Sequence, residues 1–253
     1  MGSLKNKRAL VTAGNQGIGR AITMGLLDAG CDVFVHYFKS KDGQAEVREL
    51  AAQRECRVEF ASADLTVESE AISCVQKAIE FLGALDILVN NTGSLVARRY
   101  LNEIDSAFWQ QVQDLNMTSM MVVTREATPF LARANGAAII NLASLAGRKG
   151  GHPGSLAYAT FKGAVLTWTR ALSTELGPKG IRVNAVAPGL ILGTSFHATH
   201  TTKESAEATI KGIPLGRAGT PDDVARVVIF LASEYDGFIT GATLDINGGV
   251  YCA

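Results

Sequence analysis

The chain has 253 residues, 47% of them hydrophobic, and its 24 basic residues balance 24 acidic ones. That length suits one α/β domain with a large core, and the even charge excludes the basic stripe of a nucleic-acid binder and the charge run of a disordered tail. Cys31, Cys56, Cys74 and Cys252 lie far apart without CxxC spacing, so they read as reduced thiols of a cytosolic protein, not as staples or zinc ligands. The opening "MGSLKNKRALVTAG" lacks the apolar region and cleavage site of a secretory signal, and no apolar run reaches transmembrane length. The expectation is a soluble cytoplasmic protein forming a single domain over 1–253, with no metal, nucleic-acid or membrane partner.

The first strand, at 8–12, runs into "TAGNQGIGR" and a helix near 17–29. Gly14, Gly17 and Gly19 let the backbone turn tightly and approach a phosphate, which the helix N-terminus then meets with unpaired N–H groups and a positive dipole end. Placed after the first strand, the glycines point to a dinucleotide. The second strand, at 32–37, decides which one. An acid at its tip would hold the ribose hydroxyls of NAD. The tip here reads His36, Tyr37, Phe38, Lys39, Ser40, with no carboxylate. Lys39 by charge and Ser40 by hydrogen bond suit the 2′-phosphate of NADPH; the alternative is a solvated loop lysine.

Helices near 42–54 and 67–82 flank a strand at 57–61, and a strand at 85–90 precedes a long helical stretch at 105–134. A fifth strand at 137–143 leads to a helix at 156–176. There Tyr158 and Lys162 stand four residues apart, on one face with about 5–6 Å between Cβ atoms. They read either as a half-buried tyrosine with a snorkelling lysine, or as an acid tuned by a cation. A strand at 182–187 precedes 190–218, an irregular segment with a short helix, read as a lid. Thr220, Pro221, Asp222 and Asp223 mark the start of a helix at 221–232, and the last strand is 243–246. The strands "LDILVN", "AIINLA" and "IRVNAVA" are mostly apolar, as strands covered on both faces should be. Strands alternating with helices imply a doubly wound parallel α/β sheet.

The chain resembles the short-chain dehydrogenase/reductase family over essentially its whole length. The matching motifs are "TAGNQGIG", "ADLT", "NNTG", Asn116 in "DLNMTS", Ser144 in "NLASLAG", "YATFK" and "APG", in that order. Ala13 stands where the family usually has Gly, Thr92 where it has Ala, and the Thr after the Pro-Gly pair comes one residue late, at Thr194. The resemblance implies a Rossmann-like sheet of seven parallel strands in order 3-2-1-4-5-6-7. It also implies a homotetramer paired through the 105–134 and 156–176 helices. It assigns cofactor contacts to Gly14, Asn15, Gln16, Gly17, Ile18, Gly19, Lys39, Ser40, Asp64, Leu65, Asn91, Gly93, Pro188, Gly189 and Ile191. Among these, Asp64 and Leu65 would hold the adenine and Ile191 would lie near the nicotinamide.

The same resemblance makes Tyr158 the general acid in ketone reduction and the general base in alcohol oxidation. A free tyrosine titrates near 10, and lowering that by about 3 units takes roughly 4 kcal/mol of differential interaction. Lys162 and the oxidised nicotinamide would supply it. Lys162 would also bind the nicotinamide ribose, Ser144 would stabilise the carbonyl oxygen, and Asn116 would hold a water in a proton relay. Taken singly, Ser144 is as well read as a strand-end hydrogen-bonder, Asn116 as a buried amide and Asp64 as a helix cap.

The substrate pocket should draw on Ser94, Leu95, Ser144, Leu145, His152, Tyr158, Leu190 and Phe196, a mixture that suits a small or medium ketone. His197 and His200 read as solvated lid histidines, since no carboxylate or Cys partner accompanies them. Arg98 and Arg99 read as an ordinary exposed pair, the alternative being that one meets an anionic substrate. Where acyl-carrier reductases typically place arginines for their acidic carrier, this chain has Pro129 and Thr174, with Arg125, Arg133 and Arg170 nearby. The leading expectation is an NADPH-preferring carbonyl reductase. The alternatives are an NAD-linked sugar or polyol dehydrogenase, a 3-oxoacyl-carrier-protein reductase, and a non-catalytic nucleotide sensor.

Overall fold

Each expected strand forms: β1 (Arg8–Val11), β2 (Asp32–Tyr37), β3 (Val58–Ser62), β4 (Ile87–Asn90), β5 (Ala137–Leu142), β6 (Ile181–Pro188) and β7 (Thr243–Ile246). The computed structural model describes residues 4–233 and 237–252, except for the side chain of Phe196. The strands make one parallel sheet in the order β3-β2-β1-β4-β5-β6-β7. Alternate strand residues point to opposite faces. Val11, Val89 and Ile140 therefore pack on one side, with Ile22, Leu26, Val224 and Val228 of the helices α1 (Gly17–Asp28) and α10 (Pro221–Ala232). Their neighbours Leu10, Leu88 and Ile139 pack on the other. They meet Val75 of α3 (Glu68–Leu82), then Val123 and Leu131 further along the chain and Leu172. The helix α2 (Gln44–Gln53) completes the α1 side, with Val47 and Ala51.

The long helix expected at 105–134 is interrupted. It divides into α4 (Ser106–Gln113), a π-helical turn (Asp114–Thr118) and α5 (Ser119–Leu131). A π turn closes its hydrogen bonds one residue further along than an α-helix and so releases an i−4 carbonyl. The Asn116 amide takes such a carbonyl, donating to Val112 O at 2.8 Å. Sequence periodicity misses the break because the apolar face continues through it.

After β5 comes a short helix, α6 (Leu145–Lys149), capped by Ser144, and then α7 (Leu156–Leu176). The segment 190–218 holds two helices rather than one, α8 (Ser195–His200) and α9 (Lys203–Lys211). Its base is tied by backbone bonds between Leu192 N and Gly219 O and between Gly219 N and Leu190 O. The expected start of α10 forms as a reciprocal capping box: Thr220 Oγ1 accepts from Asp223 N, and the Asp223 carboxylate accepts from Thr220 N.

Candidate active site

The carboxyl ends of the central strands open onto one cavity of about 480 Å³. At one end its wall is the glycine turn, Gln16 to Gly19. At the other stand Ser144, Tyr158 and Lys162, with Asn91, Gly93, Pro188, Gly189 and Ile191 between them. These groups, expected to hold a dinucleotide, therefore share one continuous surface.

The turn is held from beneath. Asn91 Nδ2 donates to the carbonyls of Thr12 and Ala13, both at 3.0 Å. Gly17 has φ of +51°, and a Cβ on Gly19 would run into the Ala13 carbonyl. Ala13, standing where glycine is usual, adopts φ of +49°, a left-handed conformation that costs a non-glycine residue on the order of 1 kcal/mol. Gly14 and Asn15 do not line the cavity. Gly14 packs on Thr23, Val11 and Val35, and the Asn15 amide donates to the carbonyls of Ser40 and Asp42. They shape the turn from inside. Thr194, one residue late in sequence, still reaches the turn: a Cβ on Gly17 would meet Thr194 Cγ2 at 3.4 Å.

Lys39, Ser40, Asp64 and Leu65 stand off the main cavity wall. Lys39 Nζ lies 4.7 Å from the centroid of the exposed Phe38 ring, and Ser40 Oγ accepts from Asp42 N. Asp64 Oδ1 accepts from both the backbone and the hydroxyl of Thr66, so its carboxylate closes the turn that leads into α3. Leu65 is buried.

At the other end of the cavity, Ser144 and Tyr158 come together through α6 and α7. Ser144 Oγ caps α6 by accepting from Ala146 N at 3.1 Å, and its side chain hydrogen-bonds the Tyr158 phenol. Lys162, 3% exposed, donates from Nζ to Leu142 O at 2.7 Å. A Cβ on Gly93 would lie 2.7 Å from Asn116 Oδ1 and 2.8 Å from Lys162 Nζ. Only a glycine leaves those two atoms room to face the same space. Asn116, fully buried, fixes the neighbouring loop with two bonds: Nδ2 donates to Ser94 O and Oδ1 accepts from Ser94 N.

The titration of Tyr158 differs from the expectation. Burial pushes the phenol up to about 12, and the Ser144 hydrogen bond opposes this only in part. Burial pushes Lys162 down to about 8. Lys162 Nζ sits 5.8 Å from the Tyr158 ring centroid, and that cation does not outweigh desolvation of the phenol.

Of the residues expected in a substrate pocket, Leu95, Leu145, His152 and Leu190 line the cavity; Ser94 does not, being engaged through its backbone with Asn116 and through Oγ with Val96 N. Phe196 belongs to α8, and its side chain lies outside the described residues. His197, expected in solvent, is half-buried in the cavity wall with Nδ1 2.8 Å from Thr201 Oγ1. Among the described residues no metal-binding cluster occurs. The arginine pair divides. Arg99 lies over the Phe108 ring and beside Asp105, whereas Arg98 lines the cavity.

Sequence reading missed two supports of the site. Asn90 Nδ2 donates to Thr124 Oγ1 and Asn141 Oδ1, and Asn141 Nδ2 donates to Thr169 Oγ1. This buried chain of polar groups joins α5 to α7 through the sheet. His36 is the second: it is 2% exposed, and its ring bridges Ala13 N and Ala63 O. The signal in each case was a polar residue inside an otherwise apolar strand, which needs a partner when buried.

Residues 12–251 match the family model described as Enoyl-(Acyl carrier protein) reductase. The chain is 35% identical over 249 residues to the 3-oxoacyl-[acyl-carrier-protein] reductase FabG of Chlamydia pneumoniae, covering 98% of each. A short chain dehydrogenase from Burkholderia cenocepacia J2315 in complex with NADP superposes with a TM-score of 0.91 at 32% identity, over 98% of this chain and 99% of that one. NADH-dependent reductase A1-R' complexed with NAD superposes with a TM-score of 0.88 at 32% identity, over 99% and 98%.

Proposed function

The chain belongs to the short-chain dehydrogenase/reductase family and is an NAD(P)-dependent oxidoreductase acting on carbonyl or alcohol groups; on that basis we propose that it is an NADPH-preferring carbonyl reductase. The observation that carries this reading is the meeting of the Ser144 hydroxyl, the Tyr158 phenol and the Lys162 ammonium on the cavity that also reaches the glycine turn. A reduced nicotinamide held along this cavity would supply the hydride, with its two electrons, to the carbonyl carbon.

This chain's residues manage the oxygen. The Ser144 hydroxyl donates a hydrogen bond to the carbonyl oxygen, where negative charge grows. Tyr158, protonated at neutral pH, gives its phenol proton to that oxygen, so the ketone becomes a secondary alcohol. Burial holds the phenol proton tightly even with Lys162 one turn away, and the positive charge of an oxidised nicotinamide would favour its release. Asn116 holds the Ser94 loop and presents Oδ1 beside Lys162, a path for returning the proton. Lys39 and Ser40 take the 2′-phosphate, because the β2 tip offers a cation and a hydroxyl and no carboxylate. Tetramer formation through α4, α5 and α7 and a cytosolic location complete the reading; Cys31, Cys56, Cys74 and Cys252 are all unpaired thiols.

The relatives' names favour a second reading, reduction of 3-oxoacyl groups on an acidic carrier protein. Against it, the Arg125 guanidinium is occupied by Glu68 and Glu126. The test is oxidation of NADPH and of NADH in parallel against ketones, diketones, β-keto esters and a 3-oxoacyl-carrier thioester, with Tyr158→Phe as the blank. NADPH turnover on small ketones that vanishes in the variant supports the proposal. Preference for NADH or for the carrier thioester moves the assignment to the corresponding alternative, and no turnover in either direction favours a sensor.

A further inference from the structure

The wall of the cavity beyond Ser144 and Tyr158 carries charge of one sign. Its cations are Arg98 and Lys149, both exposed; the imidazoles of His152 and His197 also line it, and among the described lining residues there is no Asp or Glu. The chain as a whole is neutral, so this one-sidedness is local. Lys149 and Arg98 form no ion pair among the described residues. The Arg98 guanidinium instead donates to two main-chain carbonyls, Pro153 O at 3.1 Å and His200 O at 3.2 Å. Those carbonyls belong to the loop before α7 and to the last turn of α8, so the guanidinium is pinned between that loop and α8 with its charge unneutralised. The crowding registers on His197, held low first by burial and then by His200, Arg98 and His152.

A cavity walled in part by apolar side chains focuses such a field and draws in anions. We infer that the ketone substrate is an anion, a small carbonyl compound bearing a carboxylate, and that Arg98 and Lys149 receive this carboxylate while Ser144 and Tyr158 receive the carbonyl. The inference rests on the reductase reading and specifies its substrate class. A planar guanidinium is matched to a carboxylate in a way that a methyl ester is not. An acidic carrier protein would need cations on the outer helix faces; these cations line the cavity itself. Arg98 and Lys149 become specificity-determining residues for the reaction.

The test uses the intact protein with NADPH and with NADH, on acetoacetate, levulinate and benzoylformate, each against its methyl ester. The readout is the ratio of kcat/KM, acid over ester, in the parent and in Arg98→Gln, Lys149→Gln and the double variant. The expected ratio in the parent is about 10 or more, falling toward one in the double variant and with rising salt, as a charge contact of that strength requires. Because it is a ratio, partial misfolding of a variant cancels. Ester preference in the parent, a ratio unmoved by the variants, or a carrier thioester outrunning every small acid would each overturn the inference and leave the reductase reading standing. If no ketone turns over, the reductase reading fails by itself. Calorimetric titration with levulinate and its ester then decides the anion site: selective binding of the acid, lost in the double variant, upholds it, and equal or absent binding overturns it.

Discussion

Lys162 Nζ donates to Leu142 O at 2.7 Å, tying the N-terminal third of α7 to the last residue of β5. Two residues after Leu142 stands Ser144, so this bond sets the height of the phenol-bearing helix against the strand end that carries the serine. It is also the only hydrogen bond of the ammonium to protein among those described, and it leaves the other N–H donors directed toward the cavity.

The ammonium is costly to bury. Its folded value, about 8, lies below the ordinary value near 10.4, which amounts to a burial cost on the order of 3 kcal/mol at neutral pH. The unfolded chain binds the extra proton between about pH 8 and 10.4, so stability referred to this group rises with pH across that window. Lys162→Met should therefore raise the melting temperature at pH 7 and help less at pH 10, while abolishing turnover. Thermal unfolding of parent and variant at the two pH values checks the sign; an equal or larger gain at pH 10 counts against it.

The proposed reduction needs Lys162 charged. The kcat/KM for ketone reduction should hold through neutral pH and decline above about pH 8, where the buried ammonium loses its proton. A pH–rate profile from 6 to about 10 measures this. Lys162→Arg, whose guanidinium keeps its charge throughout, should be slower but lose the decline.

Gly93 leaves space for Asn116 Oδ1 and Lys162 Nζ to converge. In Gly93→Ala a Cβ meets both atoms under 3 Å, and the flexible lysine is the one that yields. The expected outcome is a fall in kcat of about 10²-fold or more, as for loss of an acid–base partner, with little change in melting temperature. A large stability loss with intact kcat in the folded fraction would show that Asn116 and Lys162 are not coupled in catalysis.

His36 joins the glycine turn to the end of β3. Its Nδ1 accepts from Ala13 N at 3.1 Å, which assigns the proton to Nε2, 3.0 Å from Ala63 O. Burial holds this imidazole below its ordinary value, so its contribution to stability is present above about pH 6.5 and is lost as pH falls through the folded value. Melting temperature and NADPH affinity should drop together below about pH 6. His36→Gln should start weaker and show a flatter profile.

In the proposed reading, cofactor choice rests on Lys39. Lys39→Ala should weaken NADPH binding by about 10-fold, the worth of one charge-assisted phosphate contact, and leave NADH within about twofold. Direct titration of both nucleotides measures the two effects; equal losses would remove Lys39 from the 2′-phosphate.

Much of this molecule is local in origin. All seven strands fall within a residue or two of where β-rich runs lie between turn signals, because a strand covered on both faces announces itself as a short apolar run. The glycine turn was legible from its place after the first strand, Tyr158 and Lys162 from their spacing, and Ser144 through the family resemblance; chain order in a doubly wound sheet sends the strand ends that carry them to one edge. Three features were not legible. The π turn at Asn116 escapes because it breaks hydrogen-bond spacing without breaking the apolar face. The upward shift of Tyr158 depends on how much protein surrounds the phenol, a through-space quantity that a lysine one turn away does not reveal. Arg98 and Arg99 are neighbours in sequence, yet one packs on Phe108 and the other faces the cavity. The residue order thus determined the strands, their alternation with helices and the candidate site groups. Only tertiary structure decided which charges are desolvated and which face one another, because those depend on groups distant in sequence.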